Sequence, residues 1–379
     1  MMPEASHPLR ILHVGPRPDY GRGSGVDVAA WPLLKAQRAA GAVVGLLTLG
    51  EPDPDSAAEA ASADIELVTL QVAREGRNAT MSGDAFAIVD PGWRPDIVHF
   101  HSVFMPVHSQ LARKLRSRGI PYVVTPHGGL NLWRSKLKKA AYGPLVEKPY
   151  LRNAKAIFPL SKREENVTRS WIGARGRGPH FIEIHNSITP APFGGPQWAL
   201  PARPRLVFLG RFDIVKKGID RLVEIARNLP EAEVCAYGHA IGSELPDFEK
   251  LRDSGLPGNF LFHSPVYGDA KSEALVSASM YVQPSRDDAF PMSVVEAMRL
   301  GVPVALTRGC AVSDHIEATD LGLIIPDDPA EAAAVLSAAL HDEGKLCQWS
   351  AAGQKWTVED LSPDSIADKF FAAYRAYVR

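Results

Sequence analysis

The sequence predicts an α/β protein of two tandem domains, each an open parallel sheet with helices on both faces. Three observations predict it. Short apolar runs alternate with amphipathic runs along the chain, which is the pattern of successive βαβ units. The alternation breaks once, at "TPAPFGGPQWALPARP", whose Pro and Gly density marks an interdomain linker, and then restarts. At 379 residues the chain is also longer than one core usually accommodates.

Each element follows from its own stretch. "RILHVG" reads as a buried strand and "VDVAAWPLLKAQRAAG" as a helix with a Gly stop, with Pro32 marking a first turn or a kink. "AVVGLLTL" is the next strand. "DIVHFH" and "PYVVTPHG" are strands that end in polar residues, joined by the helix "PVHSQLARKLRSRG". "KAIFPLS" and "FIEIHNSI" complete the first series. The second series runs from the strand "RLVFLGRF" through the helix "DRLVEIARNLP" to the strands "EVCAYG" and "FLFHSPV". The helix "KSEALVSAS", the strand "MYVQPS", a further helix, and the strands "VPVALT" and "GLIIP" follow, before closing helices. The expected boundaries are 1–190, a linker over 191–204, a second domain over 205–360 and a terminal helix over 361–379. Open parallel sheets bind ligands at the carboxyl ends of their strands, so the site is expected in a cleft between the domains.

Composition narrows the function classes. Hydrophobic residues make up 45% and charged residues 22%, as in a globular protein, and the net charge of −1 implies no bulk attraction to nucleic acid. The charge is unevenly spread: Leu111 to Gly178 holds sixteen Lys or Arg against three Glu and no Asp. Cys235, Cys310 and Cys347 form no C-x-x-C pair, so neither a zinc site nor a disulfide framework is expected, and a reducing cytoplasm fits. The first residues lack the apolar run of a signal peptide, and no stretch approaches the ~20 apolar residues of a spanning helix.

Four stretches carry chemistry. In "SRDDAFPMSVVEAMRLGVPV" two acids, Asp288 and Glu296, stand eight positions apart around a helix start. Pro291 suits that first turn and Gly301 the end. The backbone from Phe290 through Pro291 and Met292 to Ser293 is then a helix N-terminus, where unpaired N–H groups and the macrodipole favour a phosphate. The two carboxylates suit pairs of sugar hydroxyls; alternatively Asp288 caps the helix and Glu296 is a solvated acid. In "LGRFDIVKKGID", Arg211 ends a strand and Lys216 and Lys217 follow in a loop closed by Gly218. Two such cations suit the charge developing on a departing diphosphate, or are solvated surface charges.

The third stretch, "PDYGRGSGVDVAA", lacks the dinucleotide and P-loop spacings, yet Gly23 and Gly25 allow backbone to approach a phosphate closely. The fourth joins "HFHS" to "TPHGGLN". His99 and His101 share a strand face, and His127 ends the neighbouring strand. Neither an acid nor a thiol completes a zinc set, so no metal is expected. His127 is expected to hydrogen-bond a ligand, with Gly128 and Gly129 in a close-approach loop, and His99 to be a satisfied histidine within the sheet.

Taken together, these residues resemble the family 4 glycosyltransferases, retaining enzymes of the GT-B fold, over nearly the whole chain. The acid–seven–acid motif from Asp288 to Glu296 is the strongest part, followed by "LGRFDIVKKGID" and the landmarks "TPHGGLNLW", "DIVHFHS" and "LSKREEN". The resemblance implies a Rossmann-like acceptor-binding domain, a Rossmann-like nucleotide-sugar-binding domain, and a last helix that packs back on the first. It implies that Glu296 binds ribose hydroxyls, Asp288 donor-sugar hydroxyls, and Arg211 and Lys217 the diphosphate. Backbone around Gly25 and Met292 completes that cradle, and His127 touches the donor sugar near its anomeric face. Gly23, Phe290, Pro291, Ser293 and Val266 join the substrate-binding set. The family usually has Glu where this chain has Asp288, one methylene shorter, which draws the carboxylate oxygens back by more than ~1 Å. The Lys216–Lys217 doublet leaves open which lysine meets phosphate.

The expected activity is transfer of a hexosyl unit from a UDP- or GDP-linked sugar to a hydroxyl of a glycan, lipid-linked or small-molecule acceptor, with retention and without a cofactor. A nucleotide-sugar epimerase of the same fold and a catalytically silent nucleotide-sugar binding protein are the alternatives. The basic tract "WRSKLKKAAYGPLVEKPYLRNAK" reads either as a solvated helix face or as a peripheral docking site on anionic lipid at the inner membrane face.

Overall fold

The computed structural model describes residues 7–15, 25–49, 52, 54–70, 94–130, 143–173, 178–189 and 195–378. Gly23 and residues 133–142 of the basic tract lie outside them. The chain forms two compact units, Met1–Ser187 with Pro363–Arg379, and Ile188–Ser362.

Among the described residues, unit 1 is built on seven strands: β1 (Arg10–Val14), β2 (Val43–Leu49), β3 (Glu66–Leu70), β4 (Ile97–His101), β5 (Tyr122–Thr125), β6 (Ala156–Ile157) and β7 (His180–Phe181). Their order is β3-β2-β1-β4-β5-β6-β7, all parallel. The strand order reverses between β1 and β4. Ligands of open α/β sheets bind beyond the carboxyl ends at such a point. The sheet is buried on both faces, as a helix-covered parallel sheet requires: one carries His13, His99 and His101 between apolar neighbours, and the other is apolar. Leu12, Val98, Phe100, Tyr122 and Val124 are buried there, with Val107, Leu111 and Leu115 of the helix Pro106–Ser117 packed against them. Burying each such side chain contributes roughly 1.5–3 kcal/mol. The helix Pro363–Arg375 packs on the helix Gly25–Ala39 within this unit, and buries Phe370 and Tyr374.

Unit 2 has six strands among its described residues: β8 (Arg205–Leu209), β9 (Glu233–Tyr237), β10 (Phe260–His263), β11 (Met280–Gln283), β12 (Val304–Thr307) and β13 (Leu323–Ile325). They run parallel in the order β10-β9-β8-β11-β12-β13, with the reversal between β8 and β11. The helix Ile219–Arg227 buries Ile219, Leu222, Val223, Ile225 and Ala226 against this sheet.

Several elements differ from the sequence reading. β3 was not expected, because "ELVTL" is short and half-buried at the sheet edge. "FIEIHNSI" contributes only the last residue of the two-residue β7 and continues as irregular chain. Pro32 lies inside the helix Gly25–Ala39 rather than in its first turn. Pro291 is the N-cap and the helix begins at Met292. No helix among the described residues is long and apolar enough to cross a membrane.

Candidate active site

In unit 2 the charged residues converge at the carboxyl ends of β8 and β11. Asp213 caps a short helical turn, Ile214–Lys217, by accepting from the Lys216 N–H at 3.0 Å. The turn closes at Gly218, whose φ of +68° is left-handed. A Cβ at Gly218 would stand 2.1 Å from the Pro284 carbonyl oxygen, so only glycine fits. That contact seats the lysine turn against the loop leaving β11. Arg286 then ties the two together. Its N–H donates to the Lys216 carbonyl at 2.8 Å, and its guanidinium grips both Asp220 oxygens at 2.8 and 2.6 Å. The Asp220 carboxylate raises the Arg286 pKa further, and a fork-to-fork pair of this kind fixes geometry as well as charge.

The lysines separate onto different acids. Lys217 Nζ lies 2.5 Å from Asp288 Oδ2, and Lys216 Nζ lies 3.4 Å from Asp287 Oδ2. Asp288 is also held by its backbone, donating to Gly309 O at 3.1 Å and accepting from the Ala311 N–H at 2.7 Å. Asp288 therefore braces a lysine and does not cap the following helix, whose N-cap, Pro291, supplies no side-chain hydrogen bond. Glu296, in the second turn of Met292–Arg299, accepts from Lys271 Nζ at 2.6 Å. Arg211 is half exposed, and its Nη1 donates to the buried Glu244 at 2.8 Å.

Beneath this charge layer lies a buried hydroxyl network. The Tyr281 hydroxyl is 2.7 Å from Ser293 Oγ and 2.6 Å from Gln283 Oε1, and Gln283 Nε2 donates to Ser285 Oγ at 2.7 Å. Burial pushes the Tyr281 phenol well above its ordinary value, so it stays protonated. Phe290 is buried beside the helix start. Val266 is half-buried in the loop between β10 and the helix Gly268–Val276, which also carries Lys271.

In unit 1 the corresponding ends of β1, β4 and β5 carry histidines. His13 and His99 are register partners on β1 and β4. His127 follows β5 with φ of +49°, a conformation that costs a non-glycine residue on the order of 1 kcal/mol. Its loop is clamped. Glu164 accepts from the Gly128 N–H at 2.5 Å and the Leu160 N–H at 2.7 Å, and burial pushes its carboxyl up to about 6. A Cβ at Gly129 would meet Val103 Cγ2 at 2.4 Å. Burial lowers the His13 pKa to about 4 and the His127 pKa to about 3, and lowers those of His99 and His101 well below the ordinary value, so all four rings are neutral. Gly25 is the exposed first residue of the helix Gly25–Ala39.

The grouping of histidines differs from the expected trio. His13, His99 and His101 have ring nitrogens within 4.8 Å of one another, and His127 joins them through His101. Both nitrogens of each clustered ring already have protein partners: His13 holds His101 and Gln37, His101 holds His13 and His127, and His99 holds Tyr374 and Thr125. The donor set is organised as a hydrogen-bond network and not as an open set of lone pairs awaiting an ion.

Sequence reasoning missed His13, Lys271, Glu244, Arg286 and Gly309. A Cβ at Gly309 would stand 1.9 Å from Ser285 O. His13 alone carried a signal, as a polar residue inside an otherwise apolar strand.

Comparison with known proteins covers both units. A model described as "Glycosyl transferase 4-like domain" matches residues 24–177, and one described as "Glycosyl transferases group 1" matches residues 197–356. The sulfoquinovosyl transferase SQD2 of Arabidopsis thaliana is 32% identical over 146 residues, 38% of this chain and 28% of that protein. The chain thus matches about a third of the length of the first curated relatives, 28% and 36%. Mannosyl- and glucosyltransferases are among the others. Sucrose-phosphate synthase from Thermosynechococcus elongatus shares the fold with a TM-score of 0.76 at 19% identity, covering 97% of this chain and 98% of its own. Anabaena HepE, solved with UDP and glucose, does so with a TM-score of 0.73 at 15% identity, covering 97% and 100%. Each half of the sequence meets its own glycosyltransferase model, and the paired parallel-sheet units match whole enzymes of that architecture: the chain belongs to the family 4 glycosyltransferases of the GT-B fold.

Proposed function

We propose that the chain moves a hexosyl unit from a UDP- or GDP-linked sugar to a hydroxyl of a glycan, lipid-linked or small-molecule acceptor, with retention and without a metal ion, in cell-surface polysaccharide or glycoconjugate synthesis. The observation that carries this reading is the gathering of Arg211, Lys216, Lys217, Asp288 and Glu296 at the β8–β11 switch point, with the two motif acids already ion-paired to lysines.

The pairs suggest how the donor is received. A diphosphate carries more charge than one carboxylate and competes for Lys217 and Arg211. Asp288 is then freed to accept from sugar hydroxyls, and Glu296, freed from Lys271, accepts from the ribose diol. Unit 2 is thus the nucleotide-sugar unit and unit 1 the acceptor unit, with His127 supplying a hydrogen bond to substrate. As the glycosidic bond breaks, negative charge grows on the departing diphosphate, and fixed cations stabilise it without an ion. The departing phosphate oxygen takes the acceptor's proton on the same face, which retains configuration.

A thermal-shift screen of UDP, GDP, ADP and dTDP sugars, followed by calorimetry, tests the reading. Stabilisation by a UDP or GDP sugar is expected; no response to any nucleotide sugar overturns it. NMR of the product reads the anomeric outcome, and free isomerised nucleotide sugar formed without acceptor reassigns the chain as an epimerase. The basic tract is proposed to dock on anionic lipid. Leu145, 79% exposed on the turn Gly143–Glu147 beside Lys148, supports it. Liposome co-sedimentation independent of anionic lipid content removes that element.

A further inference from the structure

A neutral imidazole has one donor nitrogen and one acceptor nitrogen. When neutral rings are joined nitrogen to nitrogen, the choice made at one end is imposed on every ring. Unit 1 contains such a chain. His127 Nε2 lies 3.1 Å from His101 Nδ1, His101 Nε2 lies 2.9 Å from His13 Nδ1, and His13 Nε2 lies 2.8 Å from Gln37 Oε1. Gln37, His13 and His101 are all buried. The chain ends on an amide oxygen, which only accepts. His13 then carries its proton on Nε2 and accepts at Nδ1. His101 donates from Nε2 and accepts at Nδ1 in turn, and His127 donates from Nε2. The nitrogen left at His127 is Nδ1, a bare lone pair with no partner among the described residues.

We propose that Gln37, His13 and His101 are positioning residues that hold His127 in the Nε2–H tautomer, so that Nδ1 stands as a permanent hydrogen-bond acceptor for a substrate hydroxyl. The substrate half rests on the transfer reading above; the tautomer does not. Three further observations support the arrangement. The rings are neutral, which a chain of one proton per ring requires, and burial keeps them so far below pH 7. The loop that aims His127 is clamped by Glu164 through the Gly128 N–H. His99 stacks on His101 with ring centroids 4.2 Å apart, but its own nitrogens are taken by Thr125 and Tyr374, so it shares no nitrogen-to-nitrogen bond with the other rings and meets the chain only at its Gln37 end, through Tyr374. Gln37 is the element that sets polarity: turning its amide round would offer His13 a donor and reverse every ring as far as His127.

Nuclear magnetic resonance tests this on the full chain with ¹⁵N-labelled histidine. His127 is assigned by the signals lost in His127→Asn. In the wild type at pH 7, long-range proton–nitrogen correlations are expected to show one His127 tautomer, protonated at Nε2 and unprotonated at Nδ1. In Gln37→Met the acceptor is lost, and His127 is expected to show a mixture of tautomers. With that variant, kcat is expected to fall roughly tenfold while KM for the nucleotide sugar stays within about twofold. A wild-type His127 protonated at Nδ1, or averaging both forms, overturns the proposal even if Gln37→Met does not fold. An unchanged His127 spectrum in Gln37→Met overturns the role of Gln37. A shifted tautomer with unchanged kcat overturns the substrate half alone. Loss of nucleotide-sugar binding in the wild type overturns the transfer reading and leaves the spectrum to stand.

Discussion

Units 1 and 2 solve the same backbone problem and fill the solution with opposite chemistry. Each is a parallel sheet whose order reverses beside its first strand, at β1–β4 and at β8–β11. At that point unit 1 places buried neutral rings, and unit 2 places partly buried ions in pairs. The difference teaches that the switch point supplies a location and not a chemistry. Unit 2 joins opposite charges in pairs, whereas unit 1 joins neutral rings through hydrogen bonds.

The largest expected effect separates the units by activity. Lys217→Ala or Arg211→Ala should lower kcat by about 10²-fold, on the order of 3 kcal/mol, with the fold kept. A near-normal rate in either variant would remove the ion-based account of unit 2. The next prediction separates them by pH. His13 has its pKa lowered to about 4 from an ordinary 6.5, so the unfolded chain takes up a proton that the folded one refuses. This stability is complete above pH 6.5 and is lost as pH falls from 6.5 toward 4, about 3 kcal/mol for that ring. Glu164, raised to about 6, works in the opposite direction between pH 6 and 4.5, as one group against five histidines, since burial lowers His108 to about 4 as well. Urea unfolding across pH should therefore show unit 1 failing first in acid. Coincident loss of both units would blur the contrast.

Smaller effects sharpen unit 2. Glu296→Ala should weaken nucleotide binding roughly tenfold with less change in kcat, read by calorimetry. Lys271→Ala removes the competitor for Glu296 and should tighten nucleotide binding about two- to threefold, the reverse direction. A chelator should leave the rate unchanged, and clear inhibition by EDTA would bring a metal into the mechanism.

The sequence made some of this legible for physical reasons. Arg211, Lys217, Asp288 and Glu296 stand at fixed offsets from strand ends and helix starts, so local pattern locates them. The parallel sheets follow in the same way from alternating apolar runs. Lys271 is 25 positions from Glu296, and Gln37 is 24 positions from His13. Contacts of that span arise from packing, and no local spacing announces them. Nor did Asp288 announce its ion pair: the sequence shows a shorter acid, and only the fold shows Lys217 close enough to use it.

The backbone contact at Gly218 has a consequence for how this site can change. Because that position touches the Pro284 carbonyl, the lysine turn and the acid loop form one rigid caliper. Its jaws cannot be widened one residue at a time. A change in the spacing between the lysine turn and the acid loop has to move both backbones together, because a side chain at position 218 has no room beside Pro284.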